Sequence, residues 1–323
     1  MSIEPAALLH ALHADRAISG SDLAARLGVT RAAVWKQIHG LRELGVPIDA
    51  VAGQGYRLAW PFEALDAGAI RAQLDSATRR RLRNIAVHWR IDSTNAELLR
   101  NAVAGAPGVS ICLAEMQSAG RGRRGRGWVS PLGANVYFSL LQRFAAGMAT
   151  LSGLSLAVGV ALAQALEDCG AAGIGLKWPN DVIVDGSKLA GILIEAGGEF
   201  LGPCFAVIGI GINLRLPDGV DTGQPATDLA RICGAMPSRN RVVARVAMRL
   251  VEALDRFAAD GFGAFAQAYA ARDALAGKRV RVQMAQAVRD GIADGVDARG
   301  ALRVRHGATL AIYDSADVSV RAA

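Results

Sequence analysis

Residues 120–128 read Gly120-Arg121-Gly122-Arg123-Arg124-Gly125-Arg126-Gly127-Trp128. Four arginines set among four glycines put fixed positive charge on a backbone with few steric limits, which suits neither a packed core nor a regular element. Such a stretch has to be a loop, and its neighbours have to hold its ends. The arginine forks match carboxylate and phosphate oxygens, the glycines let backbone N–H groups approach those oxygens, and Trp128 offers a face for a stacked base. Gly120, Gly122 and Gly125 also spell G-x-G-x-x-G. A dinucleotide-binding turn must open a helix, however, and here the chain continues Val129-Ser130-Pro131-Leu132-Gly133. Position disfavours a disordered Arg/Gly tail, because apolar runs at 109–114 and 136–141 flank the segment as strands would. Taken alone, the loop leaves anion binding and a merely solvated charged surface equally open.

A chain of 323 residues is expected to form two or three domains, and 52% hydrophobic against 20% charged residues is ample for buried cores. Cys112, Cys169, Cys204 and Cys233 form no Cys-x-x-Cys or Cys/His spacing, which points to reduced thiols in a cytoplasmic protein without a protein-held metal. The sequence does not open on a basic segment followed by an apolar core, so no secretory signal is expected. Phe144 to Leu166 carries no charge and is long enough to span a bilayer. Thr150, Ser152, Ser155, Gln164 and three glycines interrupt it, and it reads as a buried helix, with no membrane span expected. The net charge of +7 favours anionic partners without identifying them.

Residues 1–62 read as a winged helix-turn-helix. Ser19-Gly20-Ser21-Asp22 resembles a capping box ahead of Leu23, Ala24 and Leu27 on one helical face, and Gly28 ends that helix. Thr30 caps the next, in which Ala33, Val34, Ile38 and Leu41 recur at helical spacing. Its other side carries Arg31, Lys36, Gln37 and Arg42, suited to phosphates and base edges. Ile48 to Leu58, turning at Gly53-Gln54-Gly55 and carrying Arg57, reads as the wing. Thr30, Arg31, Lys36, Gln37, Arg42, Gln54 and Arg57 are therefore the candidate DNA contacts. Six basic against five acidic residues leave this segment at +1, so tight binding calls for a dimer. Residues 63–83, with Arg79, Arg80, Arg81 and Arg83, read as a linker with one short helix and solvated charges.

The central region, 84–272, carries the chemistry. Thr94-Asn95-Ala96-Glu97 reads as a capping box, so Ser93, Thr94 and Asn95 meet at a helix N-terminus. Gln117 closes the strand before the Arg/Gly loop. Lys177-Trp178-Pro179-Asn180-Asp181 is a turn with a cation, an indole and a carboxylate, and Asp185-Gly186-Ser187-Lys188 turns a hairpin that presents Lys188. In Gly209-Ile210-Gly211-Ile212-Asn213 the glycines lie two apart, so one strand face is bare and backbone can approach a ligand.

In this order, these motifs resemble the biotin protein ligases, and with the winged helix they resemble the bifunctional form that is both ligase and biotin operon repressor. The likeness covers essentially the whole chain. It implies that Ser93, Thr94, Asn95 and Gln117 line a biotin pocket, with Gly191 and Gly209 letting the ligand lie against the sheet. Arg121, Gly122, Arg123 and Lys188 would hold the biotin carboxylate and the nucleotide phosphate. Arg124, Arg126, Trp128, Lys177, Asn180 and Asn213 would serve the nucleotide, with Trp128 beside the adenine. The implied reaction joins biotin and ATP into biotinyl-5′-adenylate and then transfers biotin to a lysine of the biotin carboxyl carrier protein of acetyl-CoA carboxylase. Mg²⁺ would arrive on ATP, and Asp181 would orient or deprotonate the acceptor lysine or hold the ion. The loop would order over the ligand, and the adenylate-bound chain would form a homodimer on operator DNA. A ligand-sensing repressor without ligase activity and a lipoate-type ligase are the rival readings.

From about Ala274, short runs at 279–282, 290–293, 301–304 and 317–320 alternate with Gly-containing turns and predict a small β-barrel. By resemblance, residues 273–323 are an SH3-like domain. The fold class expected overall is α/β (α+β): a winged helix-turn-helix, a central mixed-sheet ligase-like domain and an SH3-like barrel.

Overall fold

The computed structural model describes residues 4–217, 219–284, 287–314 and 319–322. The chain opens with α1 (Pro5–Ala11), α2 (Gly20–Leu27) and α3 (Arg31–Glu43), followed by the hairpin β1 (Ile48–Val51) and β2 (Gly55–Leu58). Ser19 caps α2 by accepting from the Asp22 N–H, Gly28 ends it at φ 64°, and Thr30 caps α3 by accepting from the Ala33 N–H. Leu23, Val34, Ile38 and Leu41 share one buried core with Ile48 and Leu58, so the wing is continuous with the helices. The expected winged helix-turn-helix is thus present.

Between 63 and 83 the structure differs from the expected linker with one helix. Two six-residue helices occur, α4 (Ala67–Ala72) and α5 (Ser76–Arg81), capped by Asp66 and Asp75. Nor are the arginines here all merely solvated, since Arg81 pairs with Asp255 at 2.7 Å and Arg79 donates to the Leu74 carbonyl at 2.8 Å.

The central sheet comprises β3 (Leu82–Ile91), β4 (Val109–Gln117), β5 (Val136–Phe144), β6 (Ile174–Lys177), β7 (Asp181–Val184), β8 (Ser187–Gly198) and β9 (Cys204–Ile212). Its order is β3-β4-β5-β9-β8-β7-β6. The β3–β4 pair is parallel and the remaining pairs are antiparallel, which makes the sheet mixed. The helix α6 (Thr94–Val103) covers one face. The opposite face is covered by α7 (Leu154–Glu167) and by α9 (Arg239–Asp260), which follows the short α8 (Leu229–Cys233) and precedes α10 (Ala266–Ala270). Strand alternation explains the glycine spacing: Ile208, Ile210 and Ile212 join the α7/α9 core, while Gly209 and Gly211 turn the other way and leave that face bare.

The uncharged stretch 144–166 is not one helix. It contributes the end of β5, a 3-10 turn at Met148–Leu151 and then α7, because Gly147 and Gly153 interrupt it. No described helix is long and apolar enough to cross a membrane.

The C-terminal unit is a five-stranded antiparallel sheet, β10 (Arg279–Gln283), β11 (Val288–Val296), β12 (Leu302–His306), β13 (Thr309–Tyr313) and β14 (Ser319–Ala322), in the order β13-β12-β11-β10-β14. This is the expected SH3-like region. Of the run predicted at 317–320, Asp317 and Val318 lie outside the described residues. The unit is tied to the central sheet where the buried Trp178 indole donates to the Gly300 carbonyl at 3.0 Å.

Candidate active site

A cavity of about 840 Å³ opens on the bare face of β8 and β9. It is walled by the N-terminus of α6, the Arg/Gly loop and the β6–β7 turn. Every residue that the resemblance assigns to biotin, the nucleotide or catalysis lines it.

One wall is polar and buried. Ser93 caps α6, accepting from the Ala96 N–H at 3.5 Å, so the cap lies one residue before the expected Thr94. That shift frees Thr94 and Asn95 for side-chain contacts. Gln117 Oε1 accepts from both the Thr94 N–H (2.9 Å) and its hydroxyl (3.1 Å). The fully buried Ser139 bridges Thr94 Oγ1 at 2.7 Å and Asn95 Oδ1 at 2.6 Å. Asp92, at the end of β3, steadies this corner: its hydrogen bonds from Arg100 hold the carboxyl at about 2, well below the usual carboxylate range. A Cβ at position 209 would collide with the Asn95 amide, so only glycine leaves Asn95 where it is.

The Arg/Gly loop folds back on itself. The Gly122 N–H donates to the Arg126 carbonyl at 2.7 Å, the Trp128 N–H to the Gly120 carbonyl at 2.9 Å, and Arg124 takes a left-handed conformation at φ 58°. Trp128 lies on the sheet itself: its indole covers Gly191 and Gly211, where any side chain would strike it. The indole N–H is buried and has no acceptor among the described residues. Arg121 reaches Glu195 at 3.2 Å, and Arg123 donates to Asn180 Oδ1 at 3.3 Å. Burial first, and then the neighbouring Arg124, lower the Arg123 pKa from the usual arginine value. An arginine held in such surroundings gains most from an anion.

The β7–β8 hairpin brings Lys188 Nζ within 2.7 Å of Asp181 Oδ1, with both side chains largely buried. Lys188 also stands 5.4 Å from the centroid of the Trp128 ring. Asn180 Nδ2 donates to the Ile192 carbonyl at 2.8 Å, and Asn213 Nδ2 donates to the carbonyls of Lys188 (3.3 Å) and Thr227 (3.2 Å). Asn180 and Asn213 therefore shape the backbone around the hairpin. The cavity is completed by Thr222 to Ala226 and by Val320 of the C-terminal sheet, which carry no sequence signal. Ser139 and Glu195 were also missed. Burial pushes the Cys112 thiol up to about 12, leaving it a structural thiol. No group of three metal-ligating side chains occurs among the described residues.

In the helix-turn-helix, Arg31, Lys36 and Gln54 are exposed, as a DNA face requires. Three other candidates already have structural contacts: Thr30 is the α3 cap, Arg42 Nε donates to the Ile48 carbonyl at 2.8 Å, and Arg57 pairs with Asp49 at 3.3 Å. Sequence reading overlooked Trp35, 60% exposed on α3 and stacked on His39.

Three family models match the chain: "Biotin/lipoate A/B protein ligase family" over residues 87–213, "HTH domain" over 6–57 and "Biotin protein ligase C terminal domain" over 276–321. The bifunctional ligase/repressor BirA of Salmonella typhimurium is 37% identical over 309 residues, covering 94% of this chain and 93% of that protein. The biotin--[acetyl-CoA-carboxylase] ligase of Mycobacterium tuberculosis is 38% identical over 263 residues, covering 79% and 95%. Among solved structures, the Aquifex aeolicus biotin protein ligase in complex with biotin and ATP has a TM-score of 0.63 at 26% identity, covering 75% of this chain and 100% of that one.

Proposed function

Because the chain belongs to the biotin protein ligase family, we propose that it activates biotin with ATP and transfers it to a lysine of a carrier protein, and that its helix-turn-helix makes it a biotin-responsive repressor as well. The observation that carries the ligase reading is that Arg121 and Lys188 line one cavity, each paired with a carboxylate, beside a buried polar wall.

In the first step a biotin carboxylate oxygen attacks the α-phosphorus of ATP, the bond to the β-phosphate oxygen breaks, and pyrophosphate leaves. Two anions must meet. Unit charges about 4 Å apart repel by roughly 4 kcal/mol at an effective dielectric near 20, so prepositioned cations are what the step needs. Arg121, Arg123 and Lys188 supply them, and Gly122 lets backbone come close. Mg²⁺ carried on the phosphates would neutralise further charge. Ser93, Thr94, Asn95 and Gln117 present the hydrogen-bonding groups that a ureido ring needs, while Gly191 and Gly209, expected to let the ligand lie directly on the sheet, instead make room for the Trp128 indole and the Asn95 amide that shape the pocket. Arg124, Arg126, Lys177, Asn180 and Asn213 face the nucleotide. Trp128, its indole seated on Gly191 and Gly211, packs beside the adenine in this reading.

In the second step the acceptor amine attacks the acyl carbon, AMP leaves and the amine loses a proton. Asp181 is the carboxylate for that step or, through its bond to Lys188, for the first. Asp181→Asn is expected to slow adenylate formation or transfer by at least about tenfold; full activity in both half-reactions would rule out either role.

The units 1–62, 63–83, 84–272 and 273–323 are the working division of this chain. Biotin carboxyl carrier protein of acetyl-CoA carboxylase is the proposed acceptor, the cytoplasm the proposed location, and an adenylate-bound homodimer the form that meets operator DNA. Arg31, Lys36, Gln37 and Gln54, with the remaining donors of Thr30, Arg42 and Arg57, make the DNA face. Lys36→Ala should weaken binding to all sequences alike and lower the salt-dependence slope by about one, which a titration at several salt concentrations reads. The ligase assay supplies ATP, Mg²⁺ and either biotin or lipoate, and follows pyrophosphate release and label transfer to a carrier domain. Biotin-dependent release with transfer supports the ligase; biotin binding without release supports a ligand-sensing repressor, and lipoate dependence supports a lipoate-type ligase.

A further inference from the structure

A site that must draw two anions together gains nothing from an unassigned carboxylate at its edge, yet Glu195 on β8 stands there, its side chain 26% exposed. Both its neighbours belong to the site. The Asn95 amide donates to it at 2.8 Å and the Arg121 guanidinium lies 3.2 Å away. Asn95 is joined in turn through buried Ser139 to Thr94, and Thr94 to Gln117. A continuous polar chain thus leaves the polypeptide at Gln117, three residues before the Arg/Gly loop, crosses the pocket wall and returns to the loop at Arg121.

The Arg121 backbone is bridged to Gly127 across the loop, but its side chain is almost half exposed and takes its position from a contact outside the loop. Among the described residues its guanidinium pairs with Glu195. We propose that Glu195 is a positioning residue for the ligase reaction: it holds Arg121 at the place where charge develops on the reacting carboxylate and phosphate, and it couples that placement to the Asn95 wall. This inference rests on the ligase reading.

The substitution Glu195→Gln separates the two contacts. Glutamine keeps the volume and an oxygen that can accept from Asn95, but removes the charge that anchors Arg121. The site also becomes more positive, so substrate anions bind no more weakly, and the loss falls on the transition state. For biotin-dependent pyrophosphate release by the full chain, kcat should fall about tenfold while the KM for biotin does not rise. In an Arg121→Gln background, followed in single turnovers, Glu195→Gln should cause no further fall. An unchanged kcat, a raised KM for biotin, or an equal fall in the Arg121→Gln background overturns the inference while leaving the ligase reading intact. A wild-type chain that releases no biotin-dependent pyrophosphate overturns both.

Discussion

Replacing Lys188 by glutamine is expected to lower the single-turnover rate of biotin-dependent pyrophosphate release by about two to three powers of ten, the usual cost of losing one preplaced charge-stabilising donor. The side chain is largely buried, lies 2.7 Å from Asp181 and faces the Trp128 ring. Its ammonium therefore stays at the cavity wall without waiting for substrate, and little reorganisation is needed when charge develops on the phosphate. Glutamine has about the right length but no charge, and it leaves Asp181 as an unpaired, partly buried carboxylate facing two incoming anions. Both effects act on the same step. They predict a larger loss for Lys188→Gln than for the double substitution Lys188→Gln/Asp181→Asn relative to Asp181→Asn alone, a non-additivity expected of groups in contact. A Lys188→Gln chain that forms adenylate within a fewfold of the wild-type rate would remove Lys188 from the chemistry.

The site was legible in sequence wherever a local signal carried it. Gly209 and Gly211 stand out because glycines two apart in an isoleucine-rich strand strip one face of side chains, and in the structure that face is where Trp128 lies and the cavity opens. The Arg/Gly loop and the Asp185-Gly186 hairpin turn are equally local. Ser139 and Glu195 are not legible, since each sits among apolar strand neighbours with no motif around it and its meaning lies in partners 44 and 74 or more residues away. Trp128 reads from sequence as a face for a base; that its indole also rests on the bare glycines of the sheet is visible only once β8 and β9 are paired. Helices α4 and α5 do not stand out from a linker in sequence because six residues carry too little periodicity, even though Asp66 and Asp75 cap them.

Glu115→Gln should destabilise the central domain by about 3–5 kcal/mol, lowering its thermal midpoint by roughly 10 °C. Glu115 on β4 and Arg239 at the start of α9 are almost wholly buried and lie 2.6 Å apart. The carboxylate also accepts from the Leu65 N–H at 2.7 Å, and the guanidinium donates to the carbonyls of Glu63 and Asn135, each at 2.8 Å. The pair thus fastens the 63–65 segment, the edge of β5 and the long helix to the strand that ends in Gln117. Glutamine preserves the shape but leaves a buried guanidinium without its counter-charge, and burial of an uncompensated ion is what makes breaking such a pair costly. An apolar replacement of both partners, Glu115→Met with Arg239→Met, should not restore stability here. It would orphan the Leu65 N–H and the two carbonyls, each a buried group costing about 1–3 kcal/mol when unpaired. Thermal unfolding of the full chain, followed on the central-domain transition, tests both statements. A Glu115→Gln midpoint within a degree of wild type would contradict the first, and a double variant as stable as wild type would contradict the second.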